Sequence, residues 1–421
     1  MDSASHPSEG TATGAYSVDE HLRRILEGIG PLQPYDQPLL ETLGLPLCEE
    51  ITSPIDLPRF TNSAMDGYAV HQYDVESASR DYPVTLAVVG ESAAGTSKPY
   101  ALAPGTAIKI MTGAPMPTGA DTVVPIEATN GGTATVAIYD TRELGAHVRP
   151  AGEDIAKGDL ILDEGAVIGA REAGLLASVG RSQVRARPRP RVVIISTGTE
   201  LREPGASLDF DSIYDGNSFM LAAAARALGA IAYRVGVVSD NPADFSDVLS
   251  DQLVRADLVV TSGGVSKGNY DVVKEALSGL GTVDFCEVAM QPGKPQGFGL
   301  VGEDATPIIT LPGNPVSAYV SFEVFVVPAL RRMMGLLPYR RPLVQAMLSE
   351  DLASSPAGKR QYVRGTFEVT QHGARVTPVG GSGSHMIGGL AKANALIVVG
   401  EDETALNVGD TARVIVLDRS F

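Results

Sequence analysis

The sequence predicts a multidomain α/β protein, with a parallel-rich sheet domain in its middle, β-rich parts before it and a small β-domain after it. Three observations carry this. At 421 residues the chain is too long for one core. From Arg191 to about Gly335 apolar strand patterns alternate with helical ones, and on both sides the chain breaks into short β-branched or alternating runs cut by Gly and Pro.

Taken in order, "SVDEHLRRILEGIG" opens at Ser17 with a capping residue and acidic first turn, spaces Leu22, Ile25 and Leu26 helically, and stops at Gly28 and Gly30. It reads as one helix. The runs "VTLAVVG", "TAIKIMTG", "DTVVPIEA" and "ATVAIYD" read as strands, and "GAREAGLLASVG" as a short helix ended by Gly180. Two prolines and four arginines in "RARPRPR" make a stiff connector, so a boundary belongs there. Beyond it, "RVVIIST", "AIAYRVGVV", "DLVVTS" and "PIITL" read as buried strands of a parallel sheet covered on both faces. "SFMLAAAARALG", "PADFSDVLSDQLV", "YDVVKEALSGLG" and "PVSAYVSFEVFVVPALRRMMG" read as the covering helices. From Leu343 strand patterns return.

An apolar share of 44% with 20% charged residues is that of an ordinary globular protein. A net charge of −17 excludes the broad basic surface of a nucleic-acid binder, so an anionic ligand must be met locally. Cys48 and Cys286 lie far apart without a CxxC or His-rich neighbour, which points to buried thiols rather than a disulfide framework or a zinc site. With no signal-like start and no membrane-length apolar run, the expected location is cytoplasmic, with a loose N-terminal tail and neither nucleic acid nor membrane as partner.

In an open parallel sheet, ligands bind beyond the carboxyl ends of the strands. Three loops there carry glycine and feed a helix: Thr197–Glu200, Ser262–Ser266 and Pro312–Ser317. Their backbone N–H groups can form anion nests beside positive helix ends. Each also reads as an ordinary turn, with Asn314 as a cap and Pro315 at the first helical position. The Gly263-Gly264 pair followed by a hydroxyl exceeds what a turn needs, and no dinucleotide or P-loop fingerprint is present. Glu200, Asp240 and Asp271 fall on the same expected edge. Carboxylates beside phosphate cradles repel the ligand unless a divalent cation bridges them, which predicts Mg²⁺ or a similar hard ion. Lys294, in "QPGKPQGFG", is expected on a stiff extended loop. In the N-terminal half, Asp66-Gly67 makes a tight corner, Thr112 follows a strand and Asp154 lies in an acidic turn.

Eight segments in order, "NSAMDGYAV", "IMTGAPMPTGADTVV", "GEDIAKGD", "STGTEL", "IYDGN", "SGGVSKGNYD", "PGKP" and "LPGNPVS", resemble the molybdopterin molybdenumtransferase (MoeA) family of molybdenum cofactor biosynthesis, related to one domain of gephyrin. The tail "SGSHMIGGLAKANALIVV" is similar to the family's last domain. The resemblance implies four parts: a discontinuous elongated domain (residues 15–50 and 145–187), an inserted β-rich domain (51–144), a three-layer molybdopterin-binding α/β domain (188–336) and a C-terminal β-barrel (340–421). It implies an elongated homodimer whose active site faces the α/β domain of one subunit with the N-terminal half of the other.

The implied reaction joins molybdate to adenylylated molybdopterin, with Mg²⁺-dependent cleavage of the adenylate and release of AMP. On that resemblance Ser262, Gly263, Gly264 and Ser266 cradle the pterin phosphate or pyrophosphate, with Asp215, Pro312, Gly313 and Asn314 also on the cofactor and Lys294 offsetting its charge. Asp240, Asp271 and Glu200 would be the metal ligands; Asp66 joins them across the cleft, with Thr112 as hydroxyl donor and Asp154 as a more distant carboxylate. Molybdopterin adenylyltransferase is the implied upstream partner, and molybdoenzymes or their chaperones the downstream ones. Gln291 and Thr199 depart from the Lys and Asp of many members, which bears on molybdate affinity and on molybdate against tungstate. Two rival functions are a gephyrin-like scaffold and an adenylyltransferase acting one step earlier.

Overall fold

A computed structural model describes residues 14–95, 100–239, 241–264, 272–278, 282–352, 355–381 and 383–418. The chain divides into two compact units, Gln37–Leu43 with Leu47–Val184, and Met1–Asp36 with Gly44–Pro46 and Arg185–Phe421. Among the described residues no helix is long and apolar enough to cross a membrane.

The larger unit begins with α1 (Val18–Gly28), where the Ser17 hydroxyl accepts the Glu20 N–H at 3.1 Å and so caps the helix as its sequence predicts. Val18, His21, Leu22 and Ile25 form its buried face.

The smaller unit is built on a mixed five-stranded sheet. Its strands are β1 (Gly67–Val70), β2 (Val84–Ser92), β3 (Thr106–Ile110), β4 (Thr122–Pro125) and β5 (Thr135–Ile138), in the order β4-β1-β3-β2-β5. Tyr68, Val70, Leu86, Ala107, Val124 and Val136 fill its core. Gly67 is required by close approach, since a Cβ there would lie 2.0 Å from the Val124 carbonyl oxygen. The helix expected before Gly180 is α2 (Ala170–Ser178).

In the larger unit, β6 (Arg191–Ser196), α3 (Asn217–Ala227), β7 (Ile231–Arg234), α4 (Pro242–Leu253), β8 (Leu258–Ser262) and α5 (Val272–Ser278) follow one another. Then come β9 (Asp284–Glu287), β10 (Pro295–Val301), β11 (Thr306–Leu311), α6 (Pro315–Ser321) and α7 (Val327–Met334). The sheet order is β7-β6-β8-β11-β10-β9. Alternate strand residues enter two cores: Val192, Ile194, Val260 and Ile309 pack with α1, α3, α6 and α7, and Val193, Ile195, Val259 and Ile308 with α4 and α5. Both faces are therefore covered, which is why these strands read as continuous apolar runs.

Two features differ from the sequence reading. β9 and β10 extend the parallel strands with an antiparallel edge, and the segment after Lys294, expected as a loop, is a strand. Glycines masked it. A Cβ at Gly297 would sit 2.2 Å from Thr310 Oγ1, and one at Gly299 2.4 Å from the Thr282 carbonyl oxygen, so neighbouring segments of the chain occupy the space that side chains take in an ordinary strand. The single long helix expected after Pro315 contains a π-helical segment, Phe322–Val326, just before Pro328, where the proline's missing N–H breaks the regular ladder.

The C-terminal strands β12 (Leu343–Leu348), β13 (Arg360–Thr370), β14 (Gly373–Pro378), β15 (Ala395–Val399) and β16 (Thr411–Val416) close into a five-stranded barrel, through β13-β14-β12-β16-β15 and back to β13. Closure leaves no sheet edge.

Candidate functional site

The parallel register places Ser196 at the end of β6 against Ser262 at the end of β8, and Ser262 against Leu311 at the end of β11. The loops leaving these three strands therefore share one rim. They line a cavity of about 740 Å³ together with the start of α3 and with His385 and Ile387.

Each part of the rim has a local cause. Gly263 and Gly264 take φ of +98° and +67°, and a Cβ on Gly263 would meet the Thr197 carbonyl oxygen at 2.8 Å, so both positive φ and close packing call for glycine. The Gly263 N–H donates to the Leu311 carbonyl at 3.1 Å. By contrast, the N–H groups of Gly264, Gly313 and Asn314 have no acceptor among the described residues. Asp215, only 1% exposed, accepts from Ser196 Oγ at 3.1 Å, from the Ser218 N–H at 3.0 Å and from the Ser218 hydroxyl, with Arg234 at 3.8 Å. It thereby anchors the first turn of α3. Arg234 also grips Glu203 through two bonds of 2.8 and 2.7 Å, which holds the Glu203 carboxyl below the usual range, and stacks on Phe219. From that anchored turn Asn217 donates to Ser262 Oγ at 2.8 Å and to the Gly313 carbonyl at 2.6 Å.

Of the residues expected from sequence, Glu200, Asp215, Ser262, Gly263, Gly264, Pro312, Gly313 and Asn314 all line this cavity. The Asp215 carboxylate, however, is engaged by the protein's own donors. Lys294 lines a smaller adjoining cavity of about 300 Å³, with Gln291, Ser317, Lys359 and Ser384, and pairs with Glu287 at 2.9 Å. Pro295 and Ser317 belong to the walls of both cavities. Asp240, Ser266 and Asp271 lie outside the described residues. In the smaller unit Asp66 and Thr112 meet: the Thr112 N–H and hydroxyl donate to Asp66 Oδ1 at 2.7 and 2.8 Å, and hold its carboxyl below the usual range. Asp154 is an exposed turn residue of the same unit.

Sequence reasoning gave no role to Asn217, Lys359, His385 or Ile387. Asn217 lay inside the quoted "IYDGN"; the others lie on C-terminal segments, and only the fold brings them to the rim.

Residues 16–180 match the model of the MoeA N-terminal region (domain I and II), residues 193–332 that of a probable molybdopterin binding domain, and residues 345–417 that of the MoeA C-terminal region (domain IV). The chain belongs to the MoeA family. Among its MoeA-family relatives, molybdopterin molybdenumtransferase 2 of Mycobacterium tuberculosis is 44% identical over 94% of this chain and 98% of the relative. Molybdopterin molybdenumtransferase 1 of the same organism is 37% identical over 95% and 99%. A solved MoeA structure from Pyrococcus horikosii covers 96% of this chain and 100% of its own, with 30% identity and a TM-score of 0.81. The multidomain α/β architecture with a parallel-rich sheet and a closed C-terminal barrel is that of MoeA proteins.

Among the described residues the larger cavity of this MoeA-family chain is lined by no lysine or arginine, and it presents backbone N–H groups beside the Glu200 carboxylate. Among the described residues its oxygen donors are hard, no thiol lies on the wall, and of the two carboxylates there Asp215 is tied into an internal network while Glu200 is not. Among the described residues no group of three or more His, Cys, Asp or Glu is arranged to hold a metal. Such a donor set fits Mg²⁺, which is commonly held by one or two carboxylates plus substrate phosphates rather than by an all-protein cage.

Proposed function

We propose that this MoeA-family protein is a transferase of molybdenum cofactor biosynthesis that inserts molybdenum from molybdate into adenylylated molybdopterin, with Mg²⁺-dependent cleavage of the adenylate and release of AMP. Its relatives are named molybdopterin molybdenumtransferase and share nearly the whole chain. The observation that carries the reading is the larger cavity, where loops from three adjacent strand ends bring N–H donors, the Ser262 hydroxyl and Glu200 together.

In this reading Gly264, Gly313, Asn314 and Ser262 donate hydrogen bonds to the phosphate oxygens of the substrate, and Leu201, Ile213 and Ile387 provide the apolar wall. Glu200, with Asp240 and Asp271, would hold Mg²⁺ against those oxygens, where the ion supplies charge neutralisation and stabilises the leaving phosphate. Asp215 does not touch the substrate; it fixes α3 so that Asn217 reaches the two loops. Molybdate, an oxyanion, enters the adjoining cavity, where Lys294 and Lys359 supply positive charge beside Ser317 and Ser384. Pro295 and Ser317 line both cavities, so two anions bound there would lie side by side, the arrangement a transfer requires. Gln291 leaves the second cavity with one cation fewer than many relatives are expected to have. Asp66 and Thr112, Asp154, a homodimeric state, a cytoplasmic location and handover from an adenylyltransferase to molybdoenzymes or their chaperones complete the reading.

The test is to incubate the protein with adenylylated molybdopterin and to withhold Mg²⁺ and molybdate in turn. AMP is expected only when both are present. Formation of the adenylate from ATP and molybdopterin would contradict the reading and favour an adenylyltransferase; no turnover under any condition would favour a scaffold.

A further inference from the structure

We propose that Asn217 is a positioning residue that holds the Ser262 hydroxyl oxygen in place, with its proton left for the bound anion, and ties together the loops after β8 and β11. The inference rests on the reading of the cavity as a phosphate cradle.

The argument is one of hydrogen-bond direction. Gly313 offers Asn217 a carbonyl oxygen, which can only accept. At 2.6 Å the facing atom must be Nδ2, because the opposite amide orientation would set two acceptors against each other. The same Nδ2 lies 2.8 Å from Ser262 Oγ, so its two hydrogens serve these two partners. Ser262 Oγ therefore accepts, and its own proton has no acceptor among the described residues. That proton belongs to a side chain 2% exposed on the wall of the cavity, where the guest is an anion. With the amide holding one lone pair of the oxygen, the hydroxyl keeps its proton to give, and an anion in the cavity can only accept it.

The second partner gives Asn217 its other task. By holding the Gly313 carbonyl, it fixes the peptide plane of a loop whose Gly313 and Asn314 N–H groups have no internal acceptor. The amide is itself held in place. Asp215 accepts the Ser218 N–H at 3.0 Å and the Ser196 hydroxyl at 3.1 Å, joining the start of α3 to the end of β6. Three strand ends thus act on the anion through one side chain that need not touch it.

The experiment titrates wild type, N217A, N217L, S262A and N217A/S262A with inorganic pyrophosphate by calorimetry, and follows turnover of adenylylated molybdopterin. N217A, N217L and S262A should each weaken pyrophosphate binding about tenfold, as for loss of one hydrogen bond to a charged group. The double variant should fall well short of the roughly hundredfold expected of independent losses. In turnover the loss should fall on KM, with kcat within about threefold. N217L binding like wild type would reduce Asn217 to filling space, and a double variant weakened by the product of the single losses would break its link to Ser262; either overturns the inference. Should N217A unfold, N217S, too short for both bonds, replaces it. A wild type that fails to bind pyrophosphate would contradict the phosphate cradle itself, and the inference with it.

Discussion

Thr112 donates both its backbone N–H and its hydroxyl to the same oxygen of Asp66, at 2.7 and 2.8 Å. The antiparallel pairing of Gly67 with Ile110 brings the two residues together, since Asp66 precedes β1 and Thr112 follows β3. The N–H is the larger cause of the lowered Asp66 pKa and the hydroxyl the second. Thr112→Val removes only the hydroxyl. The Asp66 pKa should then rise without reaching the ordinary carboxylate value, as read by carboxyl-carbon NMR titration; no rise would mean that the hydroxyl does not stabilise the ionised form.

Gly264 combines a φ of +67° with a contact that a side chain cannot share, because an added Cβ would lie 2.4 Å from Val273 Cγ2. Gly264→Ala should cost on the order of 1–3 kcal/mol in chemical denaturation and weaken pyrophosphate binding at least tenfold. Retained stability and affinity would show that the loop does not need this conformation.

Asp215 is nearly inaccessible and joins Ser196, Ser218 and Arg234. Asp215→Ala removes those acceptors and leaves buried donors without partners. A loss of roughly 2–4 kcal/mol is expected by urea unfolding, with Arg234 still paired to Glu203. A variant as stable as wild type that binds pyrophosphate normally would refute the anchoring role.

His21 is buried in α1 against Phe325, with Nδ1 3.5 Å from Cys286 Sγ and Nε2 unpartnered among the described residues. Burial first, then the nearby Arg24 cation, push its pKa down to about 4, while Asp284 pulls the other way. The unfolded chain, with a histidine of ordinary pKa near 6.5, binds more protons between these values, so stability should rise with pH through that window. The stabilisation is fully present above about pH 6.5 and falls by about 3 kcal/mol on acidification to about pH 4. His21→Leu should flatten that part of the stability profile, measured by denaturant midpoints across pH; an unchanged slope would assign it to other groups.

Much of the fold was legible because its signals are local. Ser17, the helical spacing through Ile25 and the terminating glycines specify α1 without tertiary help, and β-branched runs between turns mark the strands that became β6, β8 and β11. β10 was missed because Gly297 and Gly299 are there for their neighbours, which no single-chain pattern records. The glycine loops of the site were readable for a related reason: Gly263-Gly264 exceeds the needs of a turn. Asn217, Lys359 and His385 were not, because their place at the rim depends on long-range packing between segments that carry no special spacing. Asp215 shows the converse: a residue singled out for the ligand is engaged by Ser196 and Ser218 of its own chain.

The most direct test is a single turnover with enzyme in excess over adenylylated molybdopterin, in Mg²⁺ and molybdate, counting AMP released and molybdenum bound to the pterin product for wild type and Gly264→Ala. The cradle account predicts equal amounts of the two products from wild type and a severe loss of both from the variant. AMP released without molybdenum transfer, or a variant that yields both products at the wild-type rate, would contradict it.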